Sequence, residues 1–251
     1  MDDQPQGDSQ TLTQNDVRWR ADGLYLPTNA SKNGLVDETR QFLLAYAHLR
    51  NMSETRRALV DGELPQRSRA TRETIVKVIQ KRLVRWNTPP WVFDELTSFA
   101  QSPEPAALKV ALLLHAARQD RVLYDLVQQV IVPWWRAGET QIIRADVQRF
   151  LDRAAADHPE VESWSWETRE KLAGNLLTIL RDYGLLSGAA RKQIVEPIVP
   201  LPVAYHLARL LVEEGVPYAE LARHPDWRLW LWDEERVSTA LAEWRLPEYA
   251  R

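Results

Sequence analysis

The sequence predicts a mainly α-helical protein. An N-terminal helix-turn-helix bundle packs on a winged-helix-like domain with a small β-hairpin, followed by C-terminal helices packed on the core. Three observations carry this expectation. Apolar residues recur at helical spacing through most of the chain beyond residue 37. Glycines are scarce, nine in 251 residues, and fifteen prolines sit at the joints between periodic stretches. From residue 106 the patterns run helix, strand, helix, helix, hairpin, which is the order of a winged helix.

Residues 1–36 lack sustained periodicity and read as a polar tail with an extended lead-in, RWRADGLYLP, suited to packing against the body. Residues 37–101 form the helix-turn-helix unit. DETRQFLLAYAHLRN places Phe42, Leu43, Tyr46 and Leu49 on one helix face. Ser53 is a candidate cap for a short second helix, SETRRALV, which stops at Asp61-Gly62 and Pro65. A third helix starts near Ser68 or Thr71 and ends before Asn87-Thr88-Pro89-Pro90.

Residues 102–200 form the winged-helix-like unit. One or two core helices over 106–132 end at Pro133 and Trp134-Trp135. A short strand at 140–143 precedes the helix RADVQRFLDRAAA. A longer helix, SWETREKLAGNLLTILRDYGLL, aligns Leu172, Leu176, Ile179, Leu180 and Tyr183 and stops at Gly184. SGAARKQIVEPIVP then reads as a hairpin. Residues 201–251 return to helix in VAYHLARLLVEEG, PYAELARHP and DEERVSTALAEWRL.

Bulk composition narrows the class. Apolar residues make up 45% and charged residues 27%, an ordinary globular balance. The absence of cysteine excludes disulfides and thiolate sites and suits a reducing compartment. The N-terminal stretch has no basic segment followed by an apolar one, so no secretory signal is expected. The most apolar run, ALKVALLLHAA, is interrupted by Lys109 and His115 and falls short of a membrane span. A soluble, cytoplasmic protein is expected.

Charge is unevenly distributed. The chain carries −3 overall, yet QRSRATRETIVKVIQKRLVRW (66–86) has seven basic residues and one acidic one. On a helix, Ile75, Ile79, Leu83 and Trp86 fall on the buried face, and Lys77, Lys81 and Arg85 fall opposite, joined by Thr74. Arg67 and Arg69 sit at or before the helix start. Arg72 and Arg82 flank the buried face, where a structural role fits. Like charges four residues apart repel by a few tenths of a kcal/mol, and a polyanion would offset that. Arg67, Arg69, Thr74, Lys77, Lys81 and Arg85 are therefore the candidate DNA-binding set, with Arg191 and Lys192 added from the tip of the expected wing. A solvated face paired with acidic surface elsewhere explains the same stripe. The outward face of the longer helix, with Glu167, Glu170, Lys171, Thr178 and Arg181, is close to neutral, so the winged helix could equally dock a protein.

Catalysis finds little support. There is no glycine-rich phosphate loop, no GxSxG and no HExxH. His48, His115, His158, His206 and His224 stand far apart, with no second ligand at metal spacing apart from weak pairs such as His158 with Glu160. His48 and His115 lie within apolar patterns and read as core histidines. Neither metal nor cofactor is expected. Trp227, Trp230 and Trp232 could stack on bases, although their Leu neighbours favour clamping the C-terminal helices to the core.

The segment from ETRQFLLAYAHLRN through RALVDGELPQ to TRETIVKVIQKRLVRW resembles the start of BrxA proteins of bacteriophage-exclusion (BREX) defence systems. The matching positions are Thr71, Thr74, Ile75, Arg82 and Leu83, and ETREKLAGNLLTILRDYGLLSG resembles the family's helix before its hairpin. The likeness covers roughly residues 37–215, and the tail before Asp37 is longer and more polar than the family pattern. It implies a non-enzymatic accessory component that binds double-stranded DNA and works beside other phage-defence proteins, including a methyltransferase and large ATPases. Some family members carry an inner-membrane label, which this composition does not support. A protein-interaction scaffold of the defence complex and a transcriptional regulator remain as alternatives.

Overall fold

Buried apolar faces and side-chain caps set the helices. The computed structural model describes residues 23–30, 33–84, 88–189, 191–242 and 244. Helix α1 (Val36–Leu49) buries Thr39, Phe42 and Leu43. Helix α2 (Met52–Ala58) is capped by Asn51, whose side chain accepts from the Ser53 and Glu54 amides; Ser53 lies inside the helix instead of capping it. The helix passes into a π-helical turn (Leu59–Glu63) that breaks at Gly62. Helix α3 (Arg69–Leu83) turns Ile75, Val76, Ile79, Arg82 and Leu83 inward. Trp86 lies outside the described residues.

Helix α4 (Pro90–Gln101) is an element the sequence reading did not assign. Its signals were present: Pro90 in the first turn, then Val92, Phe93, Leu96, Phe99 and Ala100 at helical spacing. Helix α5 (Pro105–Gln119) is buried along most of its length and packs against α1, α3 and α4. Helix α6 (Arg121–Leu126) runs through a second π-helical turn (Val127–Ile131) into α7 (Val132–Arg136). Pro133 thus does not stop the helix, because it falls in the first turn of α7, where a missing N–H is tolerated.

Strand β1 (Gln141–Ile142) precedes α8 (Arg144–Ala154), a short α9 (Pro159–Glu162) and α10 (Trp166–Asp182). Ser165 caps α10 by accepting from Thr168 N. Gly184, at φ 88°, ends it, and Leu185 N donates back to Leu180 O at 2.9 Å. Strands β2 (Leu186–Ser187) and β3 (Lys192–Ile194) close a three-stranded antiparallel sheet in the order β1-β3-β2. In the turn, a Cβ on Gly188 would lie 2.2 Å from Arg191 O, so only glycine fits there.

Helix α11 (Leu201–Glu213) packs on α5 and on α12 (Glu234–Leu241). Between them, Tyr218–Arg223 and Pro225–Trp230 form 3-10 turns, the first where an α-helix was expected. Trp227, Trp230 and Trp232 are buried and pack on one another, with Trp227 and Trp232 stacked at 6.1 Å. Trp230 Nε1 donates to Val110 O on α5, which clamps this segment to the core and removes the rings from base stacking.

The described part of the lead-in is a strap laid across the helices. Tyr25 is buried, stacks on His158 at 3.7 Å and donates its hydroxyl to Asp125 at 3.0 Å. Burial, and then the Asp125 charge, push that hydroxyl above its usual pKa, so it stays protonated as the donor. The turn Pro27–Ala30 packs on α10, and Asn29 donates to Asp120 at 2.7 Å. Gly34 passes so close to the end of α10 that a Cβ would stand 2.7 Å from Asp182 Cβ.

Candidate nucleic-acid interface

The stripe on α3 divides into cations that face solvent and cations that hold the fold. Arg72 turns back on the preceding loop. Its Nε donates to Val60 O at 2.6 Å, and its Nη1 donates to Gln66 O at 2.6 Å and Arg67 O at 3.1 Å. Those bonds fix the approach to α3 and leave the Arg67 side chain exposed. Arg82 is buried and donates to Gly34 O at 2.9 Å, Asn33 O at 3.1 Å, Asn29 Oδ1 at 2.9 Å and the Tyr183 hydroxyl at 3.0 Å. One guanidinium therefore ties α3 to the strap and to the end of α10. The structural role expected of Arg72 and Arg82 is what the geometry displays.

Arg67 and Lys77 are exposed and have no ionic partner among the described residues. Arg69 is exposed, but it bonds Asp61 at 2.7 Å and Glu73 at 3.2 Å; the Glu73 bond and the Asp61 charge hold it protonated. Thr74 is exposed and donates its hydroxyl to Ala70 O at 2.8 Å. Lys81 departs from the expected free stripe: it is half-buried beside Asp120, Thr28 and Asn29, whose recess it lines. Arg85 lies outside the described residues.

The hairpin tip separates its two cations. Arg191 is exposed. Lys192 is 8% exposed, and its ammonium donates to Ala189 O at 2.9 Å inside the turn. Burial, with Arg181 nearby, lowers its pKa. The expectation that Lys192 reaches outward is corrected by β-strand alternation, which points residues 192 and 194 inward and 193 outward.

Two cations were missed. Arg56 and Arg57 on α2 are exposed and have no ionic partner among the described residues. Their signal was the adjacent pair in SETRRA, just outside the segment counted for charge. The outward face of α10, by contrast, is neutralised: Arg144 pairs with Glu170 at 3.1 Å and lies over Gly174, and Arg181 pairs with Asp182 at 2.9 Å.

The histidines behave differently from expectation in one case. His48 is exposed, whereas His115 is buried and its Nε2 meets His206 Nε2 at 2.9 Å. Among the described residues, no group of three or more His, Cys, Asp or Glu side chains could hold a metal ion. No helix among them is long and apolar enough to cross a membrane.

These features define a mainly helical protein with a small antiparallel sheet and a cationic N-terminal helix face. The chain belongs to the BrxA family, whose model matches residues 25–210. That membership associates it with BREX phage defence. No curated protein matches the chain.

Proposed function

We propose that the chain is a non-enzymatic, cytoplasmic accessory component of a BREX system that binds double-stranded DNA through α2 and α3. The observation that carries this is the pair Arg67, just before α3, and Lys77 on its outer face, both exposed and without an ionic partner among the described residues, while the opposite face of α3 is committed to the core. Arg56 and Arg57 add charge on the helix before it, as the first helix of a helix-turn-helix does when it crosses the phosphate backbone. Thr74 offers its hydroxyl to a phosphate only by releasing Ala70 O. Arg69, shared with two carboxylates, and Lys81, held beside Asp120, contribute less.

The strand order β1-β3-β2 around α8 and α10 supports a winged helix in the second half. Arg191 is then the wing contact, and the neutralised face of α10 leaves that helix free of a DNA-reading role. Other defence proteins are the expected protein partners.

Fluorescence anisotropy on a random duplex of about 30 base pairs across a salt series tests this. With four cations engaged, log affinity falls with log salt at a slope of about −3 to −4. The quadruple change Arg56→Glu, Arg57→Glu, Arg67→Glu, Lys77→Glu abolishes binding while helicity is retained. Equal affinity in that variant would overturn the site.

A further inference from the structure

We propose that the groove between residues 199–201 and α12 docks an extended, cationic and aliphatic segment of a partner protein. The groove has a volume of about 540 Å³, with Val199, Leu201, Trp232 and Ala240 as its apolar lining and Asp233 and Glu235 on its rim.

Two independent features point to this occupant. Leu201 is 50% exposed, and Ile198, one residue before the lining, is 79% exposed, so large aliphatic surface stands in water at the groove's edge. The second feature is charge. The one cation in the lining, Arg236, is paired with Glu196 and lies over the Trp232 ring at 4.8 Å, so it leaves Asp233 and Glu235 as net negative charge. Phosphates are repelled there, and Lys or Arg side chains flanking an aliphatic anchor are attracted.

The proposal does not depend on DNA binding. The test pans a random dodecapeptide display library against the full chain, then measures enriched clones on the wild type, Leu201→Lys and Glu235→Lys. Enriched peptides carry Ile, Leu or Val beside Lys or Arg, and both variants weaken them about tenfold or more. Enrichment of acidic peptides, or of no clone sensitive to these changes, overturns the proposal. So does a Leu201→Lys effect confined to DNA affinity, or to sedimentation as a dimer, which would give the surface to nucleic acid or to a second copy.

Discussion

His115 Nε2 and His206 Nε2 meet at 2.9 Å in the core, and His206 Nδ1 lies 2.6 Å from Glu95 Oε2. With Glu95 ionised, His206 donates from Nδ1 and accepts at Nε2 from the Nε2–H of His115. Arg209 reaches the other Glu95 oxygen at 3.2 Å and lies over Trp91, and Trp91 donates to Glu213. The chain of bonds thus joins α4, α5 and α11.

This pair makes stability sensitive to acid. Burial first, then the electrostatic effect of a second proton on the His115–His206 pair and of Arg118, hold His115 well below its ordinary pKa. Below pH of about 6.5 the unfolded chain takes up a proton that folded His115 refuses, so stability falls as pH drops through that range, by up to about 1.4 kcal/mol per unit. Thermal melts between pH 7 and 5 check this: the wild type loses melting temperature, and His115→Gln shows a flatter dependence.

Arg82 is the staple between the strap and the helices. Arg82→Met leaves the Gly34, Asn33 and Asn29 acceptors and the Tyr183 hydroxyl without their buried partner and costs about 3 kcal/mol or more. Arg82→Lys does not restore the loss, since an ammonium has three donors and cannot serve four acceptors. Urea denaturation midpoints measure both.

Gly188 controls the hairpin. With φ at 86° and Arg191 O only 2.2 Å from where a Cβ would stand, Gly188→Ala forces the turn open and destabilises by about 1–3 kcal/mol. Amide exchange of Gln193 and Ile194 should rise more than that of α10.

Two lysines separate charge from place. Lys77→Ala reduces the salt slope of DNA binding by about 1, as removal of one phosphate contact does. Lys192→Met leaves the slope unchanged and does not weaken folding, because it replaces a buried ammonium with an apolar chain of similar length. A fall in slope for Lys192→Met would return that residue to the interface.

What the sequence determined by itself is local. The apolar spacing of Phe42 and Leu43, of Ile75, Ile79 and Leu83, and of Leu172, Leu176 and Ile179 predicts helix faces that are buried as expected. Gly184 marks a helix end because few residues other than glycine adopt its positive φ at low cost. The same local evidence located the cationic segment and the family likeness. Tertiary structure decided which cations are free. Lys77 and Lys81 occupy equivalent positions one turn apart on α3, yet the strap and Asp120 approach only Lys81. Lys192 lies beside the hairpin turn in sequence, and strand alternation points it inward. His115 and His206 are 91 residues apart in sequence, so no spacing rule joins them. A side chain's charge and helical phase are set by its neighbours in sequence, whereas its exposure and partners depend on what the rest of the chain lays over it.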